Sequence, residues 1–432
     1  MTDYDTINYF TNPDVLEDPF PYYEHLRSKG AVYPTGPNGM LSVTGFDEAV
    51  QIYRDNETFS NCNTTSGPFL TLPEAVAGES IGEIIERHRE TIPQNHLVVT
   101  MDPPLHTRER ALLMRLITPS RLKENEAFML NLADQQLNQV LEAGFCDFVG
   151  EFSSPYAMLT IADLLGVPEA DHQTFKTGFG LRSKKNPNGK MPDQKGGADA
   201  PPNDDVNSLS WLYEWFAAYI EDRRREPKND VLSNLALAKY PDGSTPEVMN
   251  VVHQAVFMFA AGRETSADMS STAMKYLAEN AELQDELRAH SERIPDFIEE
   301  CLRIDPPVRV DFRLATRATT LAGVEIAPGT PVAIFTGAAN RDPRRFESPA
   351  EFRIERHNVK EHIAFGRSIH ACPGAPLARA EGRITIERIL AGTRNIRLSE
   401  AHHGPAGDRR FKYSAALTSR SLKALHIEFD RA

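Results

Sequence analysis

From Val248 to about Leu277 the chain stays predominantly apolar. As a helix, at 1.5 Å per residue, that run would be roughly 50 Å long, far beyond the mean helix of about 11–12 residues. Thr245, Pro246 and Glu247 precede it. They supply an N-cap hydroxyl, a proline suited to the first helical position and an acid that favours the helix dipole. Phe257, Met258, Phe259, Ala260 and Ala261 make the middle apolar on every face, and a helix of that kind passes through a protein interior. The spacing predicts a large, mainly helical molecule organised around this one element.

The rest of the pattern agrees with a mainly α chain carrying a small β portion. Helical periodicity covers about 20–29, 103–144, 151–165, 205–224, 281–304 and 375–391. Strand signals appear at 31–45, 312–316, 321–326, 330–335 and 411–430, with Gly36, Pro37, Asn38 and Gly39 as a turn. Residues 56–100 read as irregular, and a stretch of that length without periodicity usually serves a function. The segment about 182–206 is polar and rich in glycine and proline, as expected for a flexible lid between two helices. No internal repeat or heptad pattern divides the sequence, which reads as a single domain over 1–432.

The chain has 432 residues, 41% of them hydrophobic, and a net charge of −14. An acidic balance argues against nucleic acid or an anionic membrane as the main partner, since both reward basic surface. No apolar run reaches the roughly 18 residues that span a bilayer, and the acidic, polar N-terminus has no signal-peptide character. The expectation is a cytoplasmic monomer. Cys62, Cys146, Cys301 and Cys372 lie far apart with no CxxC spacing, which excludes a disulfide framework and makes a structural zinc site improbable.

Two segments carry chemistry. In the middle of the long helix stands Ala261-Gly262-Arg263-Glu264-Thr265. Glycine costs about 1 kcal/mol there relative to alanine, and an acid beside a hydroxyl in an apolar stretch is costly unless satisfied. Either Gly262 lets two helices pack closely with Glu264 on a wetted face, or the helix kinks over a cofactor. In the second case the missing side chain leaves room for a small ligand, and Glu264 and Thr265 relay protons. The second segment is Phe365-Gly366-Arg367-Ser368-Ile369-His370-Ala371-Cys372-Pro373-Gly374. Its lone cysteine sits just before a helix. Most free cysteines are small buried hydrophobes, but a thiol at a loop-to-helix junction can be held as thiolate.

This second segment resembles the heme-binding stretch of the cytochrome P450 family, Phe-Gly-x-Gly-x-His/Arg-x-Cys-x-Gly. It matches at Phe365, Gly366, His370, Cys372 and Gly374. It departs at Ser368, where the family usually has the glycine that suits φ > 0. Ala261 to Thr265 is similar to the family's oxygen-activation motif, with Arg263 an unusual charge at the variable position. Glu300-Cys301-Leu302-Arg303 is similar to its Glu-x-x-Arg element, and Arg356 stands where a third residue joins that pair. Taken alone, Glu300 and Arg303 would be an ordinary surface pair.

The resemblance implies the P450 fold, a triangular mainly α-helical prism with the long central helix over heme. It implies heme b with Cys372 as axial ligand of the iron, and Phe365, Gly374, Ala261 and Gly262 against the macrocycle. His106, Arg110, Arg313 and His370 are implied for the propionates, Glu264 and Thr265 for proton delivery. Glu300, Arg303 and Arg356 would be structural. Phe257, Met258, Val308 and Val310 would line a pocket for a small hydrophobic substrate. The activity implied is a monooxygenase inserting one oxygen atom from O2, by hydroxylation or epoxidation. The chain has no room for a flavin or iron–sulfur domain, so electrons would come from a ferredoxin and its reductase. Arg108, Arg115, Arg367 and Arg379 are docking candidates. A peroxide-driven peroxygenase and a heme-thiolate sensor are the alternatives, and the intact Glu264–Thr265 pair ranks both lower.

Overall fold

The long helix forms as a continuous element, Val248–Ala278, 31 residues without a break. It starts three residues after the expected cap. Glu247 occupies the N-cap position with no side-chain cap, because the Thr245 hydroxyl is taken by Lys239 Nζ and the Pro246 carbonyl by Arg224 Nη2 at 2.7 Å. The helix runs through Gly262 without interruption. This computed structural model describes residues 4–74, 78–176 and 210–432. The segment expected to be a lid, about 182–206, lies outside the described residues.

By internal contacts the chain forms two compact units, each discontinuous in sequence. One comprises Met1–Thr107, Glu299–Cys372 and Ala415–Arg420; the other comprises Arg108–Ile298, Pro373–Ser414 and Ser421–Ala432. No single cut along the chain separates them.

The first unit holds most of the β structure. Its five-stranded sheet runs Val32–Pro34, Leu41–Val43, Pro331–Ile334, Asp311–Ala315, Phe59–Ser60 across its width. All neighbours are antiparallel except Leu41–Val43 with Pro331–Ile334. Val32, Leu41, Val43, Phe46, Ile52, Val332, Ile334 and Phe346 form its core. Arg313 pairs in register with Val332, so the sheet sets the position of that cation. A helix that was not anticipated, Ile81–Arg87, lies in the stretch expected to be irregular. It begins at a capping box, with Ser80 Oγ accepting from Glu83 N at 3.3 Å and Glu83 Oε2 accepting from Ser80 N at 2.8 Å, a pattern that satisfies two otherwise orphan amides.

The second unit is helical. Pro119–Leu141 starts at Thr118, whose hydroxyl accepts from Arg121 N at 3.2 Å, with Pro119 in its first turn. Ser154–Leu164, Ser210–Arg225, Val248–Ala278 and Ala375–Gly392 follow. Phe148 and Phe152 stack at 5.1 Å beneath them. A three-stranded antiparallel sheet, in the order Phe145–Asp147, His426–Arg431, Thr393–Leu398, closes one end. Among the described residues no helix is long and apolar enough to cross a membrane.

Candidate functional site

The cysteine loop is shaped by its own backbone. Cys372 N donates to the Phe365 carbonyl at 2.8 Å, Gly366 N to Ile363 O at 3.0 Å and Ala371 N to Ser368 O at 3.1 Å. Two residues take left-handed backbone, Gly366 at φ 65° and Ser368 at φ 63°. The serine therefore adopts the conformation for which the family uses glycine. A non-glycine residue there costs about 1–2 kcal/mol. Against this stands only a long contact, Asn56 Nδ2 to Ser368 Oγ at 3.4 Å. Glycine also makes the unfolded chain more entropic by about 0.4–1 kcal/mol. Ser368→Gly is therefore expected to stabilise the protein by roughly 0.5–1 kcal/mol, measured by thermal unfolding.

Of the four cysteines only Cys372 is exposed. Burial pushes the thiols of Cys62 and Cys146 up to about 12 and that of Cys301 well above its ordinary value. Those three are neutral thiols at neutral pH, poor ligands for a metal. Cys372 immediately precedes the helix Ala375–Gly392, and Gly374 caps that helix in ordinary right-handed backbone.

The same unit brings cations to the loop. His106 is 2% exposed, and its ring lies 4.0 Å from that of His370. Its amide donates to Asp102 O at 2.9 Å, and Asp102 accepts from Asn61 N at 2.9 Å and from Ser60 Oγ. Arg313 is also buried. Its Nη1 lies 3.0 Å from Asp311 Oδ2 and 2.6 Å from Phe312 O, and its guanidinium stands 5.2 Å over the Tyr53 ring. Asp311 and Asp102 are residues the sequence reading missed. Asp311 shows as an acid two residues before Arg313 on a strand, hence on the same face. Arg110, one turn after His106 in Leu105–Leu113, belongs to the other unit and is half-buried. Arg367 folds back, donating to Glu361 O at 2.5 Å and His362 O at 3.3 Å.

Glu300, Arg303 and Arg356 are not a surface pair. Both side chains of the Glu300–Arg303 pair are 0% exposed. Arg303 grips the Glu300 carboxylate in a fork of two 2.7 Å bonds, the geometry that makes arginine specific for carboxylates. Its remaining N–H groups reach the carbonyls of Asn340 at 3.0 Å and Pro349 at 2.9 Å. Arg356 Nε reaches Glu300 Oε1 at 3.4 Å, and Arg353 N donates to the same oxygen at 2.9 Å. Asn340 Oδ1 then accepts from Ile363 N at 2.7 Å, the residue that opens the cysteine loop. Beside this network His362 Nε2 meets Glu299 Oε2 at 3.1 Å, both buried.

In the helical unit, Ala261 is exposed near the middle of the long helix, after the buried Met258 and Phe259. Thr265 Oγ1 donates to Ala261 O at 2.7 Å, which leaves the hydroxyl oxygen able to accept. The Glu264 side chain is 62% exposed and ion-paired with Arg263, which is 23% exposed. Gly262 faces the helix Ser154–Leu164: a Cβ there would lie 3.2 Å from Ile161 Cδ1 and 3.3 Å from Cγ1. That contact supports the first of the two readings of Gly262, close packing of two helices. Of the four residues expected to line a substrate pocket, Phe257 and Val308 keep exposed surface, while Met258 and Val310 are buried at 4% and 1%. Arg108, Arg115 and Arg379 are exposed, Arg108 stacked 3.9 Å over Tyr240.

The cytochrome P450 family model matches residues 213–398. Cytochrome P450 144 of Mycobacterium tuberculosis is 30% identical over 401 residues, covering 91% of this chain and 87% of that protein. The chain belongs to the cytochrome P450 family. Putative cytochrome P450 YjiB of Bacillus subtilis is 32% identical over 373 residues, 86% of this chain and 87% of that one. Among solved structures, CYP150A6 of Mycobacterium marinum in the substrate-free form superposes with TM-score 0.91 at 49% identity, covering 100% of both chains. CYP109E1 of Bacillus megaterium in complex with testosterone gives 0.77 at 26% identity, covering 95% of this chain and 99% of that one.

This P450 is accordingly a heme b monooxygenase that uses O2, electrons from a redox partner and an organic substrate. Its own residues fit that cofactor. The single exposed thiol sits on a loop whose backbone is already set. The same unit holds two adjacent imidazoles and a buried guanidinium, the donor chemistry that two propionates require.

Proposed function

We propose that Cys372 ligates the heme iron and that this P450 inserts one oxygen atom into a small hydrophobic molecule, working as a cytoplasmic monomer with a ferredoxin and its reductase. The observation that carries the ligand assignment is that Cys372 alone of the four cysteines is exposed, while burial keeps the others protonated. Bound heme with a cysteine thiolate supplies O2 activation and oxygen transfer to substrate.

The chain's residues bind, orient and move protons. His106, Arg110, Arg313 and His370 would hold the propionates by charge-assisted hydrogen bonds, each netting about 1.5–3 kcal/mol. The Phe365 carbonyl holds the Cys372 amide, which fixes the backbone that carries the thiol. Glu264 takes a proton from solvent at its exposed carboxylate and Thr265 Oγ1 passes it inward, the hydroxyl being held by the Ala261 carbonyl. Support for an apolar substrate comes from the apolar character of Phe257 and Val308 and from CYP109E1, which was crystallised with testosterone and with corticosterone. Arg108, Arg115 and Arg379 offer exposed positive charge in an acidic chain, suited to an acidic ferredoxin.

The test compares turnover of a steroid and fatty-acid panel with NADH, ferredoxin and reductase against peroxide alone. Product only in the first arm is expected; product only with peroxide would replace this reading by the peroxygenase. Thr265→Ala should keep the heme spectrum while product formed per electron pair falls by roughly tenfold or more, the scale on which a positioned proton donor contributes, with peroxide as the by-product to be quantified.

A further inference from the structure

In the first unit, the buried side chains of Asp305, Arg309 and Arg420 take no part in these steps; they are 6%, 4% and 7% exposed. Asp305 meets a guanidinium at each carboxylate oxygen. Arg309 Nη2 donates to Oδ1, and Arg420 Nη2 lies 3.6 Å from Oδ2. Arg420 also reaches the N-terminal arm, where its Nη1 donates to Leu16 O at 3.0 Å and to Glu17 O at 2.7 Å. Those carbonyls end the short helix Pro13–Glu17, and a helix cannot satisfy its own last acceptors. A few residues on, the Phe20 ring stacks with the guanidinium groups of Arg341 at 3.9 Å and Arg309 at 5.8 Å.

The same residues flank Val308. Arg309 N donates to Thr418 O at 2.8 Å and Val310 N to the same oxygen at 3.4 Å. Val308 and Ser419 form an antiparallel bridge, and Ala416 N closes the turn onto Ser419 O at 3.1 Å. From the helix Thr336–Ala339, Thr336 Oγ1 donates to Val308 O at 2.7 Å and Gly337 N to Arg309 O at 3.2 Å. The backbone of 308–310 is therefore held between that helix and the tip 416–419, and Arg420 is the residue that follows the tip. An arginine guanidinium keeps its charge in a protein interior. Moving the tip would draw that charge away from Asp305 and from both carbonyls, and a buried charge without partners is costly.

We propose that Arg420 is a positioning residue for substrate: by tying the end of Pro13–Glu17 to Asp305, it holds the Thr418–Ser419 tip in register with Val308–Val310 and so sets the shape of the pocket wall that Val308 provides. This rests on the reading of Val308 as a pocket residue. Residues 16–20 of the N-terminal arm then act on substrate fit without touching substrate. Arg420→Gln removes the tie while Asp305 stays paired with Arg309, so the ion pair survives and the chain still folds.

The experiment uses the heme-loaded full chain and two probes, imidazole and 4-phenylimidazole. Both present the same nitrogen to iron; only the second carries a ring that must fit against the pocket wall. In wild type, hydrogen exchange followed by mass spectrometry should find the amides of 309–310 and of 416–420 protected together. Arg420→Gln should speed exchange in both segments by about tenfold or more. It should also change the dissociation constant of 4-phenylimidazole by about tenfold while that of imidazole stays within about twofold. Exchange of 309–310 at the rate of an open loop in wild type would overturn the proposal, and that measurement needs no variant to fold. Unchanged exchange in Arg420→Gln would overturn it as well. Faster exchange with an unchanged 4-phenylimidazole constant would leave Arg420 as packing only and also overturn it. Val308→Phe should weaken 4-phenylimidazole and spare imidazole; if it does not, the reading of Val308 fails while the exchange result on Arg420 stands separately.

Discussion

Glu300→Ala is expected to destabilise the first compact unit by about 3–5 kcal/mol, the usual cost of removing one partner from a buried ion pair. The magnitude follows from what would be left behind. Arg303 is 0% exposed and would keep its charge, since an arginine guanidinium does not deprotonate in a protein interior. Arg356 Nε and the Arg353 amide would lose the same acceptor. Arg303→Lys is expected to cost nearly as much, because one ammonium cannot hold the carboxylate in a fork and also reach the carbonyls of Asn340, Pro349 and Glu351. The damage should be felt at the cysteine loop before global unfolding, because Asn340 joins the Arg303 network to Ile363. Chemical denaturation followed by the heme Soret band and by far-ultraviolet dichroism separates the two events. Loss of the Soret band well ahead of helicity is the expected order. A change within about 1 kcal/mol would assign the pair the weak role of an exposed salt bridge.

What the sequence made legible is what depends on short spacing. The i, i+3 relation of Glu300 and Arg303, the cysteine loop, the long apolar helix and the strands near Arg313 were readable because neighbouring residues determine them. The structure adds what depends on pairs distant in sequence. Thr245 has the chemistry of a cap, yet Lys239 and Arg224 engage Thr245 and Pro246, and the helix begins at Val248. Gly262 read either as a packing glycine or as space for a ligand, and the position of Ile161, about a hundred residues earlier, is what supports the packing reading. The helix Ile81–Arg87 was missed although Ser80 and Glu83 spell its capping box, because its single short apolar face gives little periodicity. Ser368 shows the converse: a departure from the family's residue did not change the backbone, which remains left-handed there.

Cys372→Ala should abolish the heme-thiolate signature of the reduced carbon monoxide complex and reduce oxygen-insertion activity to background, while leaving the fold in place. The two halves of this expectation have separate causes. The side chain is exposed, so truncating it removes little packing, and the bond from its amide to Phe365 O belongs to the backbone and survives the substitution. The loop should therefore persist and thermal unfolding of heme-free protein should shift by less than about 1 kcal/mol, as for surface substitutions in general. The spectroscopic loss should be complete, because no other thiol can substitute. Burial pushes the thiols of Cys62 and Cys146 up to about 12 and that of Cys301 well above its ordinary value, so at neutral pH each carries its proton and cannot serve as a thiolate ligand. Cys372→His offers the sharper comparison, since imidazole can ligate iron without the electron donation of a thiolate. It should bind heme, move the carbon monoxide band to the position typical of histidine ligation and remain inactive toward substrate. A thiolate-type band surviving in either variant would place the ligand elsewhere in the chain. Retention of that band in the Cys62→Ala, Cys146→Ala and Cys301→Ala proteins completes the assignment.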